Sequence, residues 1–398
     1  MSEAAPTIGI VAGEASGDFL GAHLIRAVRE RLPGARFTGI GGPRMQSAGL
    51  EVVWPMEKLS VMGYTEVLRR YPEIAGIRRD LVRRFLAQPP ALFVGVDAPD
   101  FNLGLELKLR AADIPTAHFV SPSIWAWRGG RIHKIKRAVS KMLTVFPFEQ
   151  ALYEAAGVPV TYVGHPLAEV LSPAPARAAV REQLRLPAAA KIVAMLPGSR
   201  VSELEQMGGL FIDTAAQIAA SVPDVQFLVP LVNRPTRELF EIARYRYQGP
   251  ELNLTVLFGH AHEAMVAADV VLAASGTATL EAALLGRPVV ITYRVSPLSA
   301  WIKRRYGSYL PYVGLPNVLA GEFIVPEFLQ EEATAENLSQ AVLNILFDAG
   351  VRVRLEERFA RIAGELRQDS AGRIADALLP LMRNGGVTAP GRRDWIAP

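Results

Sequence analysis

Short apolar runs alternate with helix-length segments along the chain, and this alternation constrains the fold more than any other feature. Each run is long enough for one strand and ends in a turn. Strands separated by helices form parallel sheets, because a parallel neighbour needs a long crossover connection. The runs are, in order, TIGIVAG, ARFTGIGG, ALFVGVD, PTAHFV, MLTVFP and VTYVGHP, and then KIVAMLPGSR, VQFLVPLV, LTVLFG, ADVVLAASG and RPVVITY.

A Pro/Ala-rich stretch near Ser172, SPAPARAAV, divides these runs into two series. A chain of 398 residues, half of them apolar, is also too long for one ordinary core. The sequence therefore predicts an α/β protein of two Rossmann-like domains, residues 1–170 and 171–382, facing each other across a cleft. Such sheets bind ligands at the carboxyl ends of their strands. Residues 383–398 are rich in Gly and Pro, and we expect them to form a flexible tail.

One turn of the second series has the composition of a phosphate-binding turn. Ser275, Gly276 and Thr277 follow a strand and open a helix, where exposed N–H groups and the helix dipole favour an anion. Glu281 lies one turn further along, in reach of ribose hydroxyls. An acidic residue early in a helix is also favoured by the dipole alone. The motif therefore suggests a nucleotide-sugar site without establishing one.

Two further positions of the second series support this site. Ser199 and Arg200 end another strand, where Ser leaves backbone room and Arg supplies a guanidinium fork suited to phosphate. Two such turns in one sheet are hard to explain by packing. Asn317, after the proline of LPN, is a weaker candidate for contacting a base or a phosphate.

The first series opens with GEASGD, which contains Glu14, Ser16 and Asp18 and follows the first strand. Small residues there let the backbone approach a ligand, and exposed N–H groups favour an anion. A tight turn with Ser16 capping the helix explains the segment equally well. The segment is not GxGxxG, and the second strand ends in GIGG without an acidic residue, which disfavours a dehydrogenase.

Asp97 ends the strand ALFVGV and is the candidate general base. A carboxylate at a strand end faces the ligand in this architecture and can take a proton from an attacking hydroxyl. The alternative, capping of the following helix, suits Asp100 better. The segment DAPD is not the DxD motif that holds a metal in one class of glycosyltransferases, and the six His residues lack metal-ligand spacing. No metal or other cofactor is predicted.

Two tryptophans, Trp125 and Trp127, flank one alanine at the end of a strand in VSPSIWAWR. Exposing both is costly, so a site wall accounts for them better than core packing of both. His165, in GHP at the end of the first series, is positioned to bond a ligand. A lone His is nevertheless more often structural.

Basic residues cluster although the net charge is only +4. Apolar and aromatic residues are interleaved with them, a pattern that favours an anionic membrane surface. Solvated helix faces are the simpler explanation, and nucleic acid would also accept such patches, but no recognised nucleic-acid motif accompanies them. The residues assigned to membrane contact are Val61, Met62, Tyr64, Val67, Leu68, Arg69, Arg70 and Trp301.

The sequence shows no membrane span, no export signal and no Cys, and these three features bear on where the protein is located. No apolar run reaches the length of a membrane span, and the N-terminus begins almost directly with a strand and shows no export signal. Cys is absent, which rules out disulfides and thiolate metal sites. We expect a cytoplasmic protein.

The motifs occur together, in order and over nearly the whole chain, in one known family. They are GEASGD, GGPRM, VMG, DAPDFN, VSPSIWAWR, GHP, LPGSR, LVNRP, ASGTATLE and LPN. Each is common alone, but the ordered set resembles the lipid-A-disaccharide synthases. The resemblance implies an inverting GT-B glycosyltransferase that transfers 2,3-diacylglucosamine from its UDP derivative to 2,3-diacylglucosamine 1-phosphate (lipid X). The product is a β(1→6) disaccharide of lipid A and lipopolysaccharide biosynthesis, and UDP is released.

The resemblance also implies roles for single residues. Asp97 would be the base for the acceptor 6-hydroxyl. The residues implied to hold UDP are Ser199, Arg200, Ser275, Gly276, Thr277, Glu281 and Asn317. Those implied on the acceptor or diphosphate side are Glu14, Ser16, Asp18, Trp127 and His165. The resemblance implies no metal, a peripheral position at the cytoplasmic face of the inner membrane, and a homodimer with exchanged C-terminal segments.

Two alternatives stay open from sequence. A UDP-GlcNAc 2-epimerase has the same architecture, but it would act on an unacylated sugar and would leave the basic-apolar segments at 61–84 and 301–306 unexplained. A non-catalytic nucleotide-binding protein is the other alternative, and Asp97 argues against it. Sedimentation with anionic vesicles would separate the transferase from the epimerase.

Overall fold

The computed structural model describes residues 5–59, 64–126, 129–171, 174–295 and 311–384, and the side chains of these residues except 64–69, 383 and 384. The chain forms two compact units. The first contains the described residues up to Pro166 and those from Gln368 onward, and the second is Leu167–Arg367. This division differs from the sequence-based one, which assigned residues 171–382 to a single second domain. Residues 368–382 belong to the first unit instead.

Each unit is built around a sheet in which all neighbouring strands are parallel. The strands of the first unit are β1 Thr7–Ala12, β2 Arg36–Gly41, β3 Leu50–Pro55, β4 Leu92–Val96, β5 Thr116–Phe119, β6 Lys141–Thr144 and β7 Val160–Tyr162. Those of the second are β8 Ile192–Leu196, β9 Gln226–Leu231, β10 Leu254–Phe258, β11 Val270–Ala274, β12 Val289–Tyr293 and β13 Glu327–Leu329. The central strands β4, β8 and β11 are buried along their whole length, as helices on both faces of a sheet require.

The strand order places a switch point in each sheet. The order is β3-β2-β1-β4-β5-β6-β7 in the first unit and β10-β9-β8-β11-β12-β13 in the second. In both sheets the chain runs outward in one direction from a central strand and then starts again beside that strand in the other direction. The carboxyl ends of β1 and β4 therefore lie side by side, and so do those of β8 and β11. Open α/β sheets bind their ligands at this position.

Helices connect the strands and cover the sheets. They are α1 Ala15–Arg31, α2 Pro43–Ser47, α3 Tyr64–Ala87, α4 Pro99–Arg110, α5 Ile132–Ala138, α6 Pro147–Ala155, α7 Pro166–Val170, α8 Arg177–Gln183, α9 Val201–Ser221, α10 Arg234–Arg246, α11 Ala261–Ala267, α12 Thr277–Leu284, α13 Leu315–Ala320, α14 Ala335–Phe347, α15 Ala349–Leu366 and α16 Ser370–Asn384. Within α3, Ile77, Leu81 and Phe85 recur at helical spacing and are buried against the sheet, where Phe85 contacts Phe93. None of the helices among the described residues is both long and apolar enough to cross a membrane.

The last described helix, α16, packs against α1 of the first unit. Three of its apolar residues, Ile374, Ala375 and Leu378, are fully buried. The imidazole Nε2 of His23 lies 2.8 Å from the Ser370 hydroxyl where the helix begins. These contacts explain why the C-terminal segment belongs to the first unit although it follows the second in sequence.

Candidate functional site

The two residues that follow β4 adopt left-handed backbone conformations. Asp97 has a φ of 51° and Ala98 a φ of 43°, a region that costs residues other than Gly free energy unless their surroundings enforce it. Asn102, which is fully buried, enforces it here. Its side-chain Nδ2 donates to the carbonyl of Asp97 at 2.8 Å and to that of Val11 at 3.2 Å. This places Asp97, half-buried, at the switch point of the first sheet.

The turn between β1 and α1 lies directly against the Asp97 turn. A Cβ at Gly13 would meet the Cβ of Ala98 at 3.1 Å, so any other residue would have to push Ala98 aside. Glu14 and Ser16 are exposed beside it. Glu14 rather than Ser16 occupies the N-cap of α1. The structure therefore brings Glu14 and Ser16 next to the Asp97 turn, while their roles toward a ligand stay predictions.

The structure corrects the prediction for Asp18. This residue is buried, and its Oδ1 accepts from the N–H groups of Gly42 at 2.8 Å and Met45 at 3.0 Å. Its Oδ2 accepts from the N–H of Arg44 at 3.0 Å. These donors lie at the start of α2, where helical N–H groups have no partner within the helix. Asp18 therefore caps α2 and does not face an acceptor or a diphosphate.

Sequence reasoning missed a buried polar pair next to the Asp97 turn. Glu106 on α4 and His118 on β5 are fully buried, with His118 Nδ1 2.7 Å from Glu106 Oε1. A Cβ at Gly95 would meet Glu106 Oε1 at 2.2 Å, so the carboxyl group lies against β4 two residues before Asp97. The only signal in the sequence was this Gly between large apolar residues of a strand.

A second missed group lies beyond the carboxyl ends of β5 and β6. Glu149, in the first turn of α6, is buried and accepts from Trp125 Nε1 at 3.1 Å and from the N–H of Phe146 at 3.2 Å. Burial raises the pKa of the Glu149 carboxyl to about 8, and these donors lower it by less. The hydroxyls of Ser121 and Tyr153 lie 2.7 Å apart beside it. The VSPSIW segment is thus anchored by polar side chains of α6.

His165 is buried, and its ring centroid lies 5.8 Å from that of Phe146. Burial lowers the pKa of the His165 imidazole to about 4, so the ring is neutral at neutral pH. This environment is that of a structural His, and a ligand contact by its ring stays a prediction. Trp127, predicted on the same side, lies outside the described residues.

In the second unit, the turn after β11 has the geometry expected of an anion site. Gly276 has a φ of 153° and is the N-cap of α12, which has no side-chain cap hydrogen bond at this end. A Cβ at Gly276 would meet nothing within 4 Å. Gly276 and Thr277 are exposed, and Ser275 is half-buried. Uncapped N–H groups in open space can receive phosphate oxygens.

The turn after β8 lies beside this one, because β8 and β11 are neighbours. Its N–H groups are already engaged: Glu203 Oε2 accepts from Ser199 at 2.9 Å and from Arg200 at 3.2 Å. The Arg200 Nη1 lies 3.7 Å from Glu203 Oε1, which is a loose ion pair. The backbone N–H groups of Ser199 and Arg200 are therefore engaged within the turn itself. What this turn offers a ligand is the Arg200 guanidinium, which is 38% exposed, and the exposed side chain of Ser199.

Glu281 lies on α12, one turn beyond Thr277, and its side chain is only 20% exposed. Its Oε2 is 3.0 Å from Nε2 of His262, a residue of α11 that sequence reasoning did not single out. The carboxylate is therefore already held on one side.

The structure also corrects the prediction for Asn317, which is fully buried. Its Nδ2 donates to the carbonyl of Val325 at 3.0 Å and to Glu327 Oε1 at 2.8 Å. Its Oδ1 accepts from the N–H groups of Ile324 at 2.7 Å and Val325 at 2.9 Å. A side-chain amide has two donors and two acceptor positions, and all four are used. The Asn317 side chain fixes the chain leading into β13 and has no hydrogen-bonding position left for a nucleotide.

Among the residues predicted to touch a membrane, Arg70 is the one with a described side chain. Its Nε donates to Glu73 at 3.3 Å, and Glu73 also accepts from Lys58 Nζ at 2.7 Å. The residue or side chain lies outside the described part for Val61, Met62, Tyr64, Val67, Leu68, Arg69 and Trp301. Within the described ranges, no three His, Cys, Asp or Glu side chains converge to hold a metal ion.

Comparison with known proteins adds to this geometry. The sequence model of the lipid-A-disaccharide synthetase family matches residues 8–375. The lipid-A-disaccharide synthase of Azoarcus sp. (strain BH72) is 55% identical over 386 residues, covering 97% of this chain and 98% of that protein. Two solved structures show the same fold. They are the UDP-GlcNAc 2-epimerase from Neisseria meningitidis bound to UDP-GlcNAc (TM-score 0.60, 11% identity, covering 95% of this chain and 99% of that one) and MurG from Acinetobacter baumannii (TM-score 0.55, 14% identity, 94% and 99%). At these identities the likeness concerns the fold alone.

Proposed function

The chain belongs to the lipid-A-disaccharide synthase family, and from this premise we propose which of its residues carry out the transfer. It is a glycosyltransferase of lipid A biosynthesis with two parallel-sheet α/β units of the GT-B fold. The donor is UDP-2,3-diacylglucosamine and the acceptor is 2,3-diacylglucosamine 1-phosphate. The acceptor 6-hydroxyl displaces UDP from the anomeric carbon with inversion and forms the β(1→6) bond.

The position of Asp97 is the observation that carries the proposal. A single inverting displacement needs one general base and no enzyme nucleophile. Asp97 is a half-buried carboxylate at the switch point of the first sheet, held in a left-handed turn that Asn102 supports. In this role it takes the proton from the acceptor 6-hydroxyl. The exposed Glu14 and Ser16 of the neighbouring turn shape the acceptor side, together with Trp127 and His165.

The donor side is supplied by the switch point of the second sheet. The uncapped N–H groups of Gly276 and Thr277 and the guanidinium of Arg200 receive the diphosphate. The Ser275 N–H already donates to the Thr292 carbonyl at 2.9 Å, so Ser275 contributes through its side chain. Negative charge grows on the diphosphate as UDP leaves, so donors fixed in advance stabilise the transition state more than the ground state. Glu281 accepts from the ribose hydroxyls through the carboxylate that His262 holds on one side.

We also propose peripheral contact with the anionic cytoplasmic face of the inner membrane. The support is the run of cationic side chains on α3, where Arg83 and Arg84 are mostly exposed although both pair with Asp80. Vesicles rich in phosphatidylglycerol should sediment the protein at low salt and release it at high salt, because the attraction is electrostatic. Protein that stays in solution at low salt would exclude this contact.

The homodimer with exchanged C-terminal segments belongs to the same proposal. In the structure α16 packs on α1 of its own chain, and after exchange the partner's α16 would make those contacts. The chain has no Cys, so His23→Cys and Ser370→Cys can be joined by a short bis-maleimide cross-linker. The His23 ring reaches Ser370 at 2.8 Å, and the cross-linker spans the longer distance between two Cys side chains, which a disulfide would not. A cross-linked dimer on a denaturing gel indicates exchange, and an internally linked single chain contradicts it.

Release of UDP tests the transferase reaction. Purified protein in mixed micelles should release UDP only when both acylated substrates are present. UDP-GlcNAc alone should be neither consumed nor epimerised, and its conversion would contradict the proposed reaction.

Two variants then separate catalysis from binding. Asp97→Ala should lower kcat by about 10²–10⁴-fold, the range of general-base catalysis, with UDP affinity unchanged. Arg200→Ala should weaken UDP binding, measured by calorimetry. Lost UDP affinity in Asp97→Ala would make Asp97 a structural residue, and unchanged affinity in Arg200→Ala would remove Arg200 from the phosphate site.

A further inference from the structure

His262 stands outside every motif considered so far, yet it contacts a residue proposed to bind the donor. Its Nε2 lies 3.0 Å from Oε2 of Glu281, with His262 44% and Glu281 20% exposed. We propose that His262 is a positioning residue for the donor site, which holds the Glu281 carboxylate in the orientation that accepts the ribose hydroxyls of a uridine diphosphate. This inference rests on the donor-binding role proposed for Glu281.

The local backbone explains how His262 reaches α12. The strand β10 ends at Phe258, and the next two residues adopt left-handed conformations, with φ of 72° at Gly259 and 56° at His260. This sharp turn starts α11 at Ala261 and sets His262 in its first turn. His is one of the few residues other than Gly that adopt the left-handed conformation with some frequency. The turn thus brings a ring from the β10 side of the sheet to the helix that follows β11.

The contact matters because of what it leaves available on Glu281. A carboxylate has two oxygens, and His262 engages Oε2. The other oxygen then has a fixed direction, and both vicinal hydroxyls of a ribose can approach the same carboxylate. An unrestrained Glu side chain would lose rotamer freedom when a ligand binds, whereas a side chain already held loses less. The pair therefore favours binding through preorganisation.

The simpler explanation is an ordinary surface ion pair, which contributes little. The same loop offers a matched control, because His260 Nδ1 lies 3.2 Å from Glu263 Oε1 and this pair does not include Glu281. His260 is more exposed than His262, with 55% of its side chain accessible. A structural effect of removing an imidazole from this loop should appear in both variants, and an effect through Glu281 only in one.

The experiment is calorimetric titration of the full-length protein with UDP and with 2′-deoxyuridine diphosphate. His262→Ala should weaken UDP binding about tenfold, on the scale of one hydrogen bond to a charged group. His262→Gln, which keeps a side-chain donor, should recover most of the affinity, and His260→Ala should bind UDP as the unaltered protein does. The loss in His262→Ala should shrink for 2′-deoxyuridine diphosphate, because one of the hydroxyls that Glu281 receives is missing.

A double-mutant cycle with Glu281→Gln measures whether the two residues act together. Once Glu281 is replaced, adding His262→Ala should cause no further loss of UDP affinity. In turnover assays His262→Ala should raise the KM for the donor and leave kcat nearly unchanged, since the ribose contacts are the same before and during the transfer.

Three results would overturn the proposal, and they differ in what else they affect. Unchanged UDP affinity in His262→Ala, with weakened binding in Glu281→Gln, would remove His262 and leave the proposed function intact. Additive losses in the cycle would mean that His262 acts independently of Glu281. Unchanged affinity in Glu281→Gln would withdraw Glu281 from the donor site and the role of His262 with it.

Discussion

Asp97 and Ala98 show how a single buried side chain can hold a functional residue in place. Left-handed conformations of this kind cost about 1–3 kcal/mol per residue when nothing enforces them. Asn102 donates from one nitrogen to two carbonyls, that of Val11 in β1 and that of Asp97 directly after β4. It therefore fixes both the turn and the junction of the two strands. A rotated turn would move the Asp97 carboxylate away from the switch point, while the sheet itself would persist.

Replacement of Asn102 by Ala should therefore lower kcat strongly while the protein stays folded. We expect kcat to fall about tenfold or more, and the free energy of unfolding to fall by about 1–3 kcal/mol, the cost of leaving buried carbonyls unpaired. Thr116→Val is the matched control. The buried Thr116 hydroxyl donates to the Ala138 carbonyl at 2.7 Å, and neither residue belongs to the Asp97 turn. The control should lose comparable stability in urea unfolding and keep its kcat. Equal losses of kcat in both variants would mean that Asn102→Ala lowers kcat through lost stability and not through the Asp97 turn.

At the scale of elements, the alternation of apolar runs predicted both parallel sheets and the position of the candidate residues at strand ends. The sequence could not show which polar residues would face a ligand. Asp18 looked like a ligand contact because the orphan N–H groups of α2 that it satisfies are visible only once α2 is placed beside α1. Asn317 looked available for the same reason, since its four partners lie seven to ten residues further on. A polar residue after a turn has the same local pattern whether it binds a ligand or closes a loop.

Glu149 joins α6 to the VSPSIW segment, and its raised pKa gives this junction a pH dependence. The pKa rises from 4.5 to about 8 through burial, so the folded protein keeps this proton in a range where the unfolded chain has lost it. For this group, stability therefore falls as pH rises from 4.5 to about 8. Tyr153 also lies in this cluster, but its hydroxyl does not titrate in this range, because burial raises its pKa further above an ordinary value that already exceeds 8.

Glu149→Gln should remove this loss of stability, because the amide does not titrate. Its single oxygen can still accept from Trp125 or from Phe146, but not from both. The variant should therefore gain stability relative to the unaltered protein as pH rises from 4.5 to 8: the difference between their free energies of unfolding, variant minus unaltered protein, should increase. Urea unfolding at several pH values measures this difference. A difference independent of pH would mean that the surrounding N–H donors keep the carboxylate ionised in the fold. Glu149→Ala should lose stability at every pH, because it leaves those donors unpaired.

On the scale of the whole molecule, the C-terminal segment follows the second unit in sequence but belongs to the first unit in space. The sequence-based division placed residues 368–382 in the second domain, because no local pattern tells which sheet a terminal helix will cover. Burial of Ile374, Ala375 and Leu378 against the first unit decides it. The first unit therefore cannot complete its core until the second has been synthesised. The second unit, a continuous stretch of chain, has no such dependence on later residues.

Two leucines test this division together with the location of the donor site. Leu378 on α16 and Leu338 on α14 are both fully buried, one in each unit, and truncation of either to Ala should cost about 2–5 kcal/mol. In scanning calorimetry, Leu378→Ala should lower the unfolding temperature of the first unit, and Leu338→Ala should lower that of the second. UDP should raise the unfolding temperature that Leu338→Ala lowers, because a ligand stabilises the unit that binds it. A rise instead in the transition lowered by Leu378→Ala would place the nucleotide on the first unit, and one transition moved equally by both variants would mean that the two cores unfold together.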